Sequence, residues 1–320
     1  MKSRLFISRC LALTVAGLMC FFHASAADGS GMVGDLNGDG RLSITDVTCL
    51  INDALYDNPV NDINDVNGDG RLTISDITTL IDNLLLCNQT NQRFIVNGVR
   101  FEMVVVPGGT FMMGATPEQL SQANSDEFPA HEVTLSKFYI GQTQVTQGLW
   151  EAVMGYNDSE GVIDPECPVV NVSWYEIGNF ISELNQLTGC NFRLPTESEW
   201  EFAARGGNNS NHYLYSGSNN YDDVAWCELN SNDRIQPVGS KMPNELGIYD
   251  MSGNVWEWCY DWWGMYPSES TVNPTGPETG TDRICRGGCM EGHLRFCRIG
   301  YRQYYPPQTY RRDLGFRIAL

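Results

Sequence analysis

Two copies of one acidic dodecamer, DLNGDGRLSITD at 35–46 and DVNGDGRLTISD at 65–76, constrain the first part of this chain more than any other feature. Residues 28–92 hold eleven Asp, no Glu, and only Arg41 and Arg71 as cations. Carboxylates at this density repel one another and resist compaction unless a divalent ion neutralises them. Each copy sets oxygen ligands where a calcium loop uses them. Asp35, Asn37 and Asp39, and in the second copy Asp65, Asn67 and Asp69, fill positions 1, 3 and 5. Gly40 and Gly70 permit the sharp turn at position 6, and Arg41 and Arg71 offer carbonyls at position 7. Ser43 and Thr73 stand at position 9, where a water often mediates, and Asp46 and Asp76 close the loops at position 12. Calcium takes about six to eight such oxygens. Two bound calcium ions are therefore expected.

Asp replaces the usual Glu at position 12, and no amphipathic stretch precedes the first loop. A helix is expected after each loop: Val47, Leu50, Ile51 and Leu55 share one face at helical spacing, as do Ile77, Leu80, Ile81 and Leu84. Loop then helix, twice, resembles the dockerin module over residues 28–88. That resemblance implies docking to a cohesin on a scaffold or cell surface, the setting of extracellular polysaccharide catabolism. It carries the contact role to Ile44, Thr45, Ile74 and Ser75, at loop positions 10 and 11. Isoleucines exposed in both copies would fit a docking face; the rival is that they pack on the neighbouring domain. Cys49 and Cys87 fall on the two helices, and sequence alone does not pair them.

The N-terminus has a basic start (Lys2, Arg4, Arg9), an apolar run from about Leu11 to Phe22, and Ala24-Ser25-Ala26, the pattern of a cleaved signal peptide over 1–26. The run is short for a membrane span, which takes about 20 residues. A secreted or cell-surface protein without a transmembrane span is expected. The net charge of −19 argues against nucleic acid as a partner. Nine cysteines follow the leader, an odd number that leaves at least one thiol unpaired or pairing between molecules. There is no CxxC, and His131, His212 and His293 are too scattered for a histidine metal site.

Residues 89–100 read as a polar linker, after which the texture changes to short apolar runs rich in Gly and Trp. FEMVVVPGGTFMMG reads as two strands around Pro107-Gly108-Gly109; TQVTQGLWEAVMG and SWYEIGNFISELNQLTG read as helices. An irregular α+β domain follows. The segments MVVVPGGTFMMG, PVVNVSWYEIGNFISELNQLTG, FRLPTESEWEFAARGG, GIYDMSGNVWEWCYDWW and LGFRIAL, in that order, resemble the formylglycine-generating-enzyme (sulfatase-modifying factor) superfamily across 101–320. The resemblance implies a C-type-lectin-like fold. It leaves activity open, because the superfamily includes oxidases, other enzymes and binding proteins.

The oxidase of that superfamily uses two cysteines, five apart, to hold copper, since two soft thiolates suit Cu(I). In register with Gly287-Gly288, the second falls on Cys297 and the first on Gly292. One thiolate does not build that site, so copper is not expected, and Cys297 stands only as a candidate catalytic residue. Cys289, eight positions before Cys297, would need a different backbone path to replace the missing thiol. The resemblance also implies one structural calcium in the large domain, with Asp250 and Glu257 as side-chain ligands and Gly253 and Val255 as carbonyl ligands. Finally, Arg295, Phe296, Tyr301, Tyr304, Tyr305, Tyr310 and Arg311 form a basic-aromatic run in an acidic protein. Arg and Tyr are common in binding hot spots, and this run is the expected ligand face, with a self-packed loop as the alternative.

Overall fold

The computed structural model describes residue 36 and residues 43–55, 59–61, 63–66, 70–87 and 90–320, residues 82–87 by backbone alone. They divide into two compact units, one ending at Thr90 and one spanning Asn91–Leu320. The expected leader at 1–26 lies outside the described residues, as do Asp35, Asn37, Asp39, Arg41, Asn67 and Asp69.

In the first unit, α1 (Ile44–Leu55) and α2 (Ile74–Cys87) begin in the same way. The backbone N–H of Ser43 donates to Asp46 Oδ2 at 2.8 Å, and that of Thr73 to Asp76 Oδ2 at 2.7 Å. Ser43 Oγ and Thr73 Oγ1 in turn accept from the N–H groups of Thr45 and Ser75, each at 3.1 Å. The residues at loop positions 9 and 12 thus cap the helices as well as closing the loops. Val47, Leu50 and Leu80 form the buried centre, with Ile44, Ile51, Ile77 and Ile81 packed around it. Of the striped faces expected from the sequence, Val47, Leu50, Ile51, Ile77, Leu80 and Ile81 meet; Leu55 is exposed, and Leu84 lies outside the residues described with side chains.

The second unit opens with β1 (Gln92–Val96) and β2 (Val99–Val106), an antiparallel hairpin in which Val96 faces Val99. Asn97 (φ 47°) and Gly98 (φ 87°) make its two-residue turn, the backbone shape for which Asn-Gly is suited. The segment expected to be a linker over 89–100 is therefore, from Gln92 onward, the first strand pair of the domain. β3 (Gly109–Met113) follows Pro107-Gly108 but joins another sheet, so the two strands flanking that turn do not pair with each other. The remaining elements are β4 (His131–Leu135), β5 (Phe138–Gly141), α3 (Gln147–Met154), α4 (Trp174–Thr188), α5 (Glu197–Ala204), α6 (Tyr221–Val224), β6 (Trp256–Trp262), β7 (Thr271–Val272), β8 (Arg283–Arg286), β9 (Gln303–Tyr305) and β10 (Leu314–Phe316). They build three small sheets, ordered β1-β2-β5, β3-β4-β7 and β10-β6-β8-β9. Mixed short strands and helices make the domain α+β, as expected.

α5 is absent from the sequence expectation because all eight of its residues are buried, polar Glu197, Ser198, Glu199 and Glu201 included, and no apolar stripe sets it off. Its start is signalled by Thr196 and Glu199, a reciprocal capping box. Trp200 and Phe202 on α5 enter the main core with Val104, Val106, Val133, Phe138 and Ile284. β10 runs parallel to β6, placing Gly315 opposite Glu257. A Cβ at Gly315 would stand 2.3 Å from the Val169 carbonyl oxygen, so only glycine lets this strand in. That close approach seats the C-terminal segment against the turn that precedes β6.

Candidate functional site

The turn before β6 bends sharply: Asp250, Gly253 and Asn254 all have positive φ, at 60°, 84° and 65°. This conformation turns several carbonyls toward one point. Gln144 Nε2 lies 3.3, 3.4 and 3.1 Å from the carbonyl oxygens of Asp250, Gly253 and Val255, and 3.0 Å from Glu257 Oε1. An amide nitrogen carries two hydrogens and cannot satisfy four acceptors. Its own Oε1 is buried without a hydrogen-bond partner. Turning the amide over would bring a fifth oxygen to the same point, a choice that heavy-atom positions do not fix. Oxygen-only convergence is the donor chemistry of a calcium site, and these residues fit one.

Asp250 contributes more than its side chain. Its carbonyl joins the convergence point. Its carboxylate Oδ2 accepts the Gly239 N–H at 2.7 Å, and Oδ1 is buried without a hydrogen-bond partner. Burial pushes its pKa up to about 6. Glu257 is held by Arg317 Nε and Nη2 at 2.6 and 2.7 Å and by Trp200 Nε1 at 2.7 Å. Among the described residues no group of three His, Cys, Asp or Glu side chains is arranged to hold a metal. Here the donors are largely carbonyls.

The second feature surrounds Cys297, at the end of the short turn Leu294–Cys297. Gly292 provides no side chain, and a Cβ there would meet Cys289 Sγ at 3.1 Å and the Phe296 ring at 3.2 Å. The residues at the family's copper positions therefore do not fit a two-sulfur metal site. Cys289 does not fill the gap: its thiol donates to Asp313 Oδ2 at 3.3 Å, and burial beside that carboxylate pushes its pKa up. The thiol that does reach Cys297 is Cys227, which sequence reasoning did not single out. A hydrogen bond from Cys297 lowers the Cys227 pKa to about 7; the same bond, with burial, raises that of Cys297.

The basic-aromatic run does not form one face. Arg295 and Phe296 pack on Tyr301, which is itself buried. Tyr304 is exposed and tilts on Trp263, with ring centroids 4.8 Å apart. Tyr305 points to the other side of β9, under Arg311, whose guanidinium is bound to Asp313 at 2.7 Å. Tyr310 is exposed. The expected seven-residue patch thus separates into clusters, with Arg311 already engaged and Tyr301 beneath its neighbours.

Residues 96–320 match the model of the sulfatase-modifying factor enzyme 1-like domain, and residues 33–85 that of the dockerin type I domain. The chain belongs to the sulfatase-modifying factor family. It is 32% identical over 270 residues to the chaperone protein LppX of Paenibacillus barcinonensis, covering 68% of this chain and 89% of that protein. It is 29% identical over 285 residues to the formylglycine-generating enzyme of Bos taurus, covering 68% of this chain and 74% of the enzyme. Among solved structures, Treponema denticola variable protein 1 superposes with a TM-score of 0.65 at 30% identity, covering 72% of this chain and 98% of that one. PvdO from Pseudomonas aeruginosa gives 0.61 at 28%, covering 71% and 97%.

In the dockerin domain the four residues expected to dock are not equivalent. Ile74 is 67% exposed, and Thr45 and Ser75 are exposed. Ile44 is half-buried against Val47, Leu50 and Leu80. The expectation of exposed isoleucines in both copies is met at Ile74 and not at Ile44, whose side chain completes the small core. Asp46 and Asp76 are buried at the helix starts. Dockerin domains bind calcium. Cys87 lies outside the residues described with side chains, so its geometry relative to Cys49 does not enter. Among the described residues, no helix is long and apolar enough to cross a membrane.

Proposed function

We propose that the sulfatase-modifying factor domain of this chain is a non-oxidase recognition or assembly module, and that the dockerin domain tethers it to a cohesin outside the cell. The observation that carries this reading is position 292. The family's first copper thiol is absent there, and a Cβ at that position would press on Cys289 and Phe296. Two calcium ions in the dockerin loops, and a third where Gln144 meets the 250–257 turn, would brace the two units. The leader at 1–26 supports export, and the acidic charge disfavours nucleic acid. Ligand contact is assigned to the exposed residues Tyr304 and Tyr310.

One observation favours a second reading. Cys227 supplies a sulfur beside Cys297 from another part of the chain, so an oxidase acting on sulfatase cysteines could draw its second thiolate from there. A sulfatase-derived cysteine peptide, incubated with the protein, copper and oxygen, decides between them by mass spectrometry. The expected result is an unchanged peptide. Conversion to formylglycine, lost in Cys297→Ser and in Cys227→Ser, would overturn the proposal.

A further inference from the structure

We propose that Cys227 and Cys297 close as a structural disulfide that fastens the 225–231 turn to the C-terminal segment. Both side chains are fully buried and belong to one small cluster of the core. Around them stand Tyr215, Val224 and Ala225, with Leu214, Tyr221 and Leu294 packed against the cluster. Such a wall offers thiols little polar company, and a sulfur–sulfur bond leaves no unsatisfied donor inside it.

Both mounts are held in place. The Cys227 N–H donates to Asn230 Oδ1 at 3.0 Å, while its carbonyl accepts from Asn230 and Ser231 at 3.1 and 3.0 Å. The next residue, Glu228, donates its N–H to the Gly292 carbonyl at 3.2 Å, tying this turn to the loop that leads to Cys297. On the other side, Gly288 (φ 79°) passes so close that a Cβ there would meet Cys297 N and Sγ at 2.9 Å. Cys297 therefore has a fixed backbone, and its side chain shares the buried cluster with that of Cys227. Cys289 is the competing partner, and its thiol is turned to Asp313.

The bond forms by thiol–disulfide exchange with a disulfide-bearing oxidant, either a small-molecule disulfide or an oxidoreductase. One cysteine thiolate attacks the oxidant's disulfide and expels one thiolate from it. The second cysteine then attacks the mixed disulfide, forming the Cys227–Cys297 bond and expelling the other. Two electrons pass to the oxidant, and the two cysteine protons leave with its two thiols. Because neither sulfur is exposed, exchange must occur before the core closes, and the finished bond should resist reductant until the domain unfolds.

The test is a peptide map of the full chain, prepared without reductant, denatured, alkylated and digested with trypsin. Cys227 lies in peptide 206–234, Cys297 in 296–298 and Cys289 in 287–295. The expected product is 206–234 joined to 296–298, two hydrogens lighter than their sum. Prior treatment with reductant should leave it intact in native buffer and split it in denaturant. Cys289→Ser should retain the joined product. Cys227→Ser should lose it and lower the melting midpoint of the larger unit by on the order of 5–10 °C. Recovery of both peptides alkylated, or of 287–295 joined to 296–298, would overturn the assignment in the wild-type protein alone. The peptide map and the formylglycine assay read different quantities, so failure of either claim leaves the other decidable.

Discussion

Replacing Arg317 by Met should destabilise the larger unit by about 3–5 kcal/mol, and calcium should restore part of that loss. The guanidinium is fully buried, donating to Glu257 at 2.6 and 2.7 Å and to the carbonyls of Gly141 and Tyr249 at 2.9 and 3.0 Å. Methionine fills much of the same volume but returns none of these bonds. Glu257 would then be a buried carboxylate supported by the Trp200 and Gln144 N–H groups, without a counter-charge. Each kcal/mol lowers the midpoint of a domain this size by about 2–4 °C, so the fall should be roughly 6–20 °C. A divalent cation held by Glu257 Oε1 and the carbonyls of Asp250, Gly253 and Val255 would replace the missing positive charge. The variant should therefore gain more from calcium than the wild type. Scanning calorimetry of the full chain, in calcium and in chelator, reads both effects. Glu257→Gln combined with Arg317→Met removes both charges and should recover part of the stability while losing the response to calcium. A midpoint within about 2 °C of wild type in chelator would refute the ion-pair argument. Equal calcium responses in the two proteins would refute the cation site.

Two further outcomes are expected. Ile74→Asp should weaken cohesin capture at least about tenfold with helicity retained, as for an exposed contact residue, while Ile44→Asp should lower helicity in calcium by burying a charge in the small core. Equal cohesin binding by Ile74→Asp and wild type in a surface-capture assay would remove Ile74 from the docking face. Asp261, which accepts the Glu197 N–H at 2.8 Å, has its pKa pushed to about 8 by burial and then by the Glu197 charge. The native state keeps a proton that the unfolded chain releases near pH 4, so wild-type stability should fall as pH rises from about 4 to 8. Asp261→Asn has no such proton to lose, and its stability relative to wild type should rise across that window, read as urea midpoints at pH 5 and 8. A pH-independent difference would show that Asp261 ionises normally in the fold.

The features legible in sequence were those whose signal is local. The stripes of α1 and α2 could be read because residues three and four apart carry the whole pattern, and the small core uses Val47, Leu50, Ile51, Ile77, Leu80 and Ile81 from them, while Leu55 is exposed. Asn97-Gly98 carried an equally local hairpin signal, yet the Asn and Gln around it read as linker and hid the alternation of Phe94 and Val96. α5 defeats a periodicity reading for a physical reason: a helix buried on every side has no stripe, and only its capping box betrays it. Gln144 and Cys227 offered no cue. Gln144 meets acceptors more than a hundred positions away, and Cys227 meets Cys297 seventy positions away. Neither lies in a motif that its neighbours would mark.

The arginines after residue 285 mislead for a different reason, and the reason limits where a ligand can bind. Arg beside Tyr resembles a recognition surface, but it also suits a buried clasp, because a planar guanidinium can pair with a carboxylate while lying against a ring. Arg298 forks onto Glu127 at 2.6 and 3.0 Å, and Arg302 onto Glu197 at 2.7 and 2.8 Å with its guanidinium 3.9 Å from the Tyr266 ring centroid. Arg286 joins Glu197 and Glu201, and Arg317 holds Glu257. All four guanidiniums come from the C-terminal part of the chain, and all four sets of carboxylates from earlier elements. Losing Arg298 or Arg317 would strand Glu127 or Glu257, and losing Arg286 or Arg302 would break up the buried network that shares Glu197, so these positions cannot vary with the ligand without a cost to the fold. Tyr304, Tyr310 and Arg312 reach solvent, as does Arg295, and none of them anchors a buried pair. On β9 the split falls between neighbours, with Tyr305 turned inward toward Trp258 and Tyr304 turned outward. A substitution at Tyr304 can therefore change what the surface meets while leaving the clasp closed, and one at Arg302 cannot.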